Sequence, residues 1–197
     1  MLKIIKHTIL LKYSVSLILL ISSASSFANT KEPPNTELRQ LLTKAISESD
    51  SFNDRYDAEV WLLDMSTRLK NKIEDPKERL NLLRHIHYEA TRAKLSPQIV
   101  LALIQVESNF DKFAISTAGA RGLMQVMPFW LKEIGRPNDN LFDIRTNLRF
   151  GCTILRYYLD KEKGNITRAL ARYNGSLGSY RYTTKVFRAL DDRWVLR

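Results

Sequence analysis

Apolar residues recur at three- and four-residue intervals along most of the chain. Leu62, Met65 and Leu69 form one stripe, Leu83, Ile86, Ala90 and Ala93 a second, and Leu148, Cys152, Leu155 and Leu159 a third. That spacing puts each set on one face of a helix. The run from Ile99 to Ile104 differs, being uncharged at every position, with Val106 extending it. A helix that is apolar all round is a buried central helix. Start signals agree with these periods. Asp75-Pro76 followed by Glu78 predicts an N-cap, a proline at the first helical position and a capping-box acid, and Ser96-Pro97 repeats the cap-plus-proline pattern. No alternating run is long enough for a strand. The segment from Ala114 to Gly122, rich in Ser, Thr, Gly and Ala, predicts a loop or a small β-hairpin. The expected fold is all-α, with about seven or eight helices.

Composition refines this picture at the N-terminus. The chain has 197 residues, 44% of them hydrophobic and 26% charged, values that suit a domain with a real core. Lys3, Lys6 and Lys12 precede or flank a short apolar run, Val15 to Ile21, and Ser26-Phe27-Ala28 places small residues at the minus-three and minus-one positions of a cleavage site. Residues 1–28 are therefore expected to be a signal peptide cleaved after Ala28, the apolar window being short for a membrane anchor. The mature chain would then be periplasmic or exported, with no transmembrane span. Residues 29–36 are polar and carry two prolines, a lead into the fold.

Charge and cysteine narrow the chemistry. Three of the 31 Lys and Arg lie in the signal, leaving 28 against 21 acidic residues, a formal +7. Such a balance suits nucleic acid, an anionic membrane surface or an acidic wall polymer. Export argues against nucleic acid. Cys152 is the only cysteine, so no intramolecular disulfide forms, and its place on an apolar stripe predicts a buried structural thiol. His85 and His87, two apart on a helix, do not face each other. No metal site and no cofactor is expected. With no histidine in the catalytic region, a Ser-His-Asp or Cys-His mechanism is unsupported.

Three short pieces could carry chemistry. The apolar helix ends in Glu107-Ser108-Asn109-Phe110. Apolar surroundings and the negative end of the helix dipole both disfavour a charged carboxyl, so Glu107 could hold a proton near neutral pH, as a general acid must. An exposed glutamate in a last turn is the plain alternative. The second piece is Gly119-Ala-Arg-Gly122-Leu-Met-Gln125-Val-Met127-Pro128, in which Gln125 offers both donor and acceptor and the methionines a soft apolar wall. Taken alone it reads as a helix start with core methionines. The third is Tyr173-Asn174-Gly175, where a helix stops at glycine and Tyr173 shares a face with Ile166 and Leu170, as a core tyrosine does.

In order, Glu107-Ser108-x-Phe110, Gly122-Leu-Met-Gln-x-Met-Pro128 and Tyr173-Asn174 resemble the catalytic domain of the soluble lytic transglycosylases, related to goose-type lysozyme. The resemblance covers roughly residues 95–190. It implies a lysozyme-like fold in which residues 95–197 form the catalytic domain and residues 29–94 a lead with accessory helices. It further implies that Glu107 is the sole acid/base and that Ser116 lies near the scissile sugar. Gln125 and Met127 would line the glycan groove, Tyr173 would hydrogen-bond beside Glu107 and hold it, and Asn174 would support the groove. The chain departs from the commoner Ala-Tyr-Asn-Ala-Gly form of the last motif: Arg172 stands where Ala is usual, and Ser176-Leu177-Gly178 replaces the tail.

Ordinary glycosidases use two carboxylates. Here the motifs supply one, and Asp111, Asp139 and Asp143 have no motif behind them. The resemblance therefore implies cleavage of peptidoglycan strands without water, giving 1,6-anhydromuramoyl ends. Two alternatives stay open from sequence: a hydrolase of the same fold that uses a loop aspartate to position water, and a non-catalytic wall-binding or secretion-associated scaffold. Residues 37–94 are left for helices that pack on the domain or for an arm that binds an envelope-machinery partner.

Overall fold

A computed structural model of the chain describes Gln40, residues 51–52 and residues 54–195. The expected signal peptide, its cleavage point and the polar lead lie outside the described residues. All described residues belong to one compact unit, Pro34–Arg197. Seven α-helices follow one another among them: α1 Arg55–Leu69, α2 Pro76–Arg92, α3 Pro97–Glu107, α4 Trp130–Ile134, α5 Ile144–Lys161, α6 Ile166–Tyr173 and α7 Arg181–Ala189. A single π-helical turn, Leu190–Trp194, continues α7. No strand forms among the described residues. The Ala114–Gly122 segment is a loop with two isolated bridges, Ile115 to Arg121 and Arg121 to Val126, and not a hairpin. The all-α expectation holds.

The apolar helix is central, as its pattern predicts. Every residue from Ile99 to Leu103 is buried, and Ile104 is fully so. α3 packs against α2, α7 and the π turn, while α5 packs against α2 and α6. The three periodic stripes face this core, with Leu159 at its edge and Cys152 fully buried. Burial pushes the Cys152 thiol far up, so it stays protonated and unreactive. Residues of α1 and α2 (Leu62, Met65, Leu83, Ile86) join the same core cluster as α3. The described helices α1 and α2 therefore share one hydrophobic core with α3.

The caps are partly as expected. The Asp75 side chain accepts the Lys77 amide at 2.9 Å. Glu78 does not complete a capping box; its carboxylate takes the Lys112 ammonium at 2.8 Å, tying α2 to the loop after α3. Ser96 occupies the N-cap of α3 without a side-chain cap, because its hydroxyl donates to Gln98 at 2.8 Å. Buried Arg79 clasps the α1–α2 turn by donating to the carbonyls of Ile73 and Glu74, both at 2.7 Å, and to Ser66. His87 stacks on Phe52 with ring centroids 3.6 Å apart, and burial lowers its pKa to about 4.

Candidate active site

Glu107 is the last residue of α3. The chain then reverses sharply: Asn109 and Phe110 both adopt left-handed backbone, at φ 52° and 69°. For a bulky aromatic this conformation is strained and persists only where packing enforces it. Phe110 is held by the ring of Trp194, 5.5 Å away, and Trp194 is fixed in turn by donating to Gln105 at 2.8 Å. The reversal leaves the Glu107 carboxyl at the edge of the core, half-buried. Desolvation raises its pKa, and a hydrogen bond from the Tyr182 hydroxyl opposes that rise. Ser108 donates to the Leu123 carbonyl at 2.8 Å, so the Glu-Ser pair is joined to the Gly122-Leu-Met loop.

The bond expected from Tyr173 is therefore made by Tyr182. Tyr173 donates instead to the Met124 carbonyl at 2.7 Å. It still lies close enough to Glu107 for the carboxylate to raise its pKa, although burial is the larger cause. Sequence reasoning missed Tyr182. Its signal was available in the buried stripe Tyr182, Val186, Ala189 on α7, a helical period that begins with a hydroxyl-bearing ring.

The loop between α3 and α4 is built on backbone geometry. Gly122 has φ 74°, and a Cβ there would fall 2.4 Å from the Asn147 side chain and 2.5 Å from the Leu141 carbonyl, so only glycine fits. Asn147, also missed from sequence, is the buried staple. It accepts the Met124 amide at 2.8 Å and donates to the carbonyls of Arg121 and Leu141. Gln125 is left-handed at φ 50°, and its Nε2 donates to the Gly122 carbonyl at 3.0 Å and to the Ala114 carbonyl at 3.2 Å. Its donor thus serves the loop, although Gln125 also lines the cleft. Ser116 accepts the Ala120 amide at 3.0 Å, an intraloop bond that fixes its hydroxyl oxygen within the same turn.

Four of the six expected site residues meet in one place. Gln125, Met127, Tyr173 and Asn174 line a cleft of about 250 Å³, walled also by Trp130 and Arg172. Glu107 is not in the lining of this cleft; Tyr173, which is, lies close enough to feel its charge. Ser116 lies outside the lining as well. The candidate second acids have other duties. Asp139 pairs with Arg149 at 2.5 Å and accepts the Arg136 amide, Asp143 caps α5 by accepting the Thr146 amide, and Asp111 accepts the Phe113 amide. Among the described residues no group of His, Cys, Asp and Glu is arranged to hold a metal, and no helix is long and apolar enough to cross a membrane.

The helical body thus places one desolvated carboxyl near a polar and aromatic cleft. Residues 84–194 match the family described as the transglycosylase SLT domain, and the chain belongs to that family. Among curated relatives, it is 34% identical over 91 residues to a transglycosylase of Enterobacteria phage PRD1, which spans 46% of this chain and 33% of the relative. It is 33% identical over 110 residues to membrane-bound lytic murein transglycosylase C of Yersinia pestis (strain Pestoides F), covering 48% of this chain and 31% of the relative. The chain thus matches about a third of the length of these relatives. Among solved structures, the lytic transglycosylase Slt of Pseudomonas aeruginosa, in an inactive mutant form, aligns with a TM-score of 0.45 at 20% identity, over 78% of this chain and 33% of that one. The 70 kDa soluble lytic transglycosylase of Escherichia coli aligns at 0.42 and 23%, over 81% and 26%.

Proposed function

We propose that this protein is a lytic transglycosylase that cleaves the β-1,4 bond between N-acetylmuramic acid and N-acetylglucosamine in peptidoglycan, without water. The observation that carries this reading is the state of Glu107: a carboxyl whose pKa is raised by desolvation, beside a cleft lined by Gln125, Met127, Tyr173 and Asn174. A raised carboxyl can donate a proton to the leaving glycosidic oxygen and then, as carboxylate, accept one. Tyr182 bonds the carboxyl and holds its orientation through both steps.

In the first step Glu107 protonates the leaving oxygen, and the substrate's own acetamide meets the positive charge that develops at the anomeric carbon. In the second, the Glu107 carboxylate takes the proton of the muramic acid 6-hydroxyl, whose oxygen closes on the anomeric carbon. The bond broken is glycosidic, the bond formed is the 1,6-anhydro bridge, and the proton returns to Glu107. The engagement of Asp111, Asp139 and Asp143 in backbone bonds, caps and an ion pair favours this one-carboxyl route over a water-positioning partner. Gln125 contributes by shaping the loop, and Ser116 by fixing the turn near it. The formal +7 of the expected mature chain suits an anionic wall polymer, and the signal-like N-terminus suits action in the periplasm.

Mass spectrometry of digested sacculi tests the reaction. Fragments lighter by one water than hydrolysis products are expected, and reducing-end products in their place would make the protein a hydrolase.

A further inference from the structure

The cleft beside Glu107 carries a cation that the reaction does not use. Arg172, the residue before Tyr173 on α6, is the only charged side chain among the described residues that line the cleft. Its Nε donates to one carboxylate oxygen of Glu162, just past the end of α5, while Arg168 Nε takes the other oxygen. The two guanidinium groups hold the Glu162 carboxyl below the usual carboxylate range, and that side chain is only 7% exposed. Arg172 is thus anchored along one edge. Its two terminal nitrogens have no hydrogen-bond partner among the described residues, and its side chain keeps 30% exposure. A guanidinium fixed through Nε presents its remaining N–H groups as a planar fork, a geometry that matches a carboxylate.

We propose that Arg172 reads a carboxylate carried by the muramic acid residue bound in the cleft. The inference rests on the transglycosylase reading and adds the substrate feature that selects. The sugar hydroxyls and acetamides of the glycan are neutral, so its carboxylates are the groups a lone cation in this cleft can distinguish. That carboxylate has two sources: the lactyl group itself, where the peptide has been removed, or the peptide attached to it. The Glu162–Arg168 pair holds the fork in place before substrate arrives, which lowers the ordering cost of binding.

The test compares three glycan strands: peptide-free strands with lactyl carboxylates, peptide-bearing strands, and strands whose carboxylates are converted to methylamides. The kcat/KM of wild type and Arg172→Gln is measured on each. The substitution is expected to lower the preference for carboxylate over methylamide strands about tenfold, mainly through KM. Arg172→Lys is expected to restore part of that preference. Whichever carboxylate strand shows the loss identifies the source. Calorimetric binding to Glu107→Gln and to Glu107→Gln/Arg172→Gln reads the same ratio without turnover. An equal loss on all three strands, or no loss, overturns the inference and leaves the transglycosylase reading intact. Wild-type protein that cleaves none of the strands overturns that reading, and this one with it.

Discussion

Glu107 and Glu162 are the same side chain in nearly the same kind of place, one closing α3 and the other just past α5. Each stands at the negative end of a helix dipole, which disfavours a carboxylate. Their fates are opposite. Glu162 receives two guanidinium groups and is held charged below its ordinary range. Glu107 receives a tyrosine hydroxyl and apolar walls, and its pKa rises. The difference lies in what the following chain delivers. Past α5 a short turn leads straight into α6, whose one face brings Arg168 and Arg172. Past α3 the left-handed pair Asn109–Phe110 turns the chain inward, and α7 brings a ring. One carboxyl is held charged between two arginines, and the other is pushed towards its protonated form.

The largest effect that sharpens this contrast is on turnover. Glu107→Gln keeps the shape and an amide for Tyr182 but cannot exchange the proton, so activity should fall by about 10²–10⁴-fold or more. The melting temperature should hold or rise, because a desolvated carboxyl is removed. Full activity in this variant breaks the assignment. Next in size, Leu103→Ala empties a fully buried site on α3 and should reduce stability by about 2–5 kcal/mol, read from denaturant unfolding. A negligible change would mean that α3 does not supply the dry surroundings on which the raised pKa depends.

A smaller effect isolates Tyr182. Among the described residues its hydroxyl is the contact that lowers the Glu107 pKa, against the larger effect of burial. Tyr182→Phe should therefore move that pKa further up. The acid must start protonated, so activity is lost as pH rises through its pKa, and that loss should shift to higher pH in the variant. The kcat/KM profile across pH reads the shift, and about a tenfold fall at the optimum is expected from the freed carboxyl orientation. A drop with no shift in the profile would separate Tyr182 from the carboxyl.

Only the Glu107 side of this contrast was legible in the sequence, and the rest was not, for a physical reason. The uncharged run Ile99–Ile104 announced a buried helix. Glu107 at the end of that helix could be read from sequence as either a desolvated carboxyl or an exposed last-turn residue, because only local properties of one element were available. The partner of that carboxyl lies 75 residues further on. Two tyrosines, Tyr173 and Tyr182, sit near it, and only the packing of α7 across α3 decides which hydroxyl reaches. The resemblance named Tyr173, whose hydroxyl goes to the Met124 carbonyl. Glu78 was similarly read as a local cap, yet Lys112, 34 residues away, claims it. Gln125 was read by its chemistry, while its left-handed backbone turns its donor back onto the loop. Arg172 stood out as a departure from a motif, but its meaning depends on Glu162, a contact made only when α6 folds back on α5.

The smallest effect is also the most discriminating, since it concerns sign. A carboxyl with a depressed folded pKa adds stability above the unfolded carboxylate range and loses it as pH falls through the folded value. Glu162→Gln should therefore destabilise slightly at neutral pH, and the difference from wild type should vanish in acid. A carboxyl with a raised folded pKa does the reverse. In acid Glu107 is protonated in both states and contributes nothing, whereas above its folded pKa the buried charge is unfavourable. Glu107→Gln should therefore match wild type in acid and exceed it at neutral pH. Thermal melts of both variants between about pH 3 and pH 8 span the carboxylate range and read both differences at once. Opposite signs that converge in acid support one anchor and one acid. Two differences of the same sign would mean that the two glutamates are held alike, and the contrast between the ends of α3 and α5 would not account for catalysis.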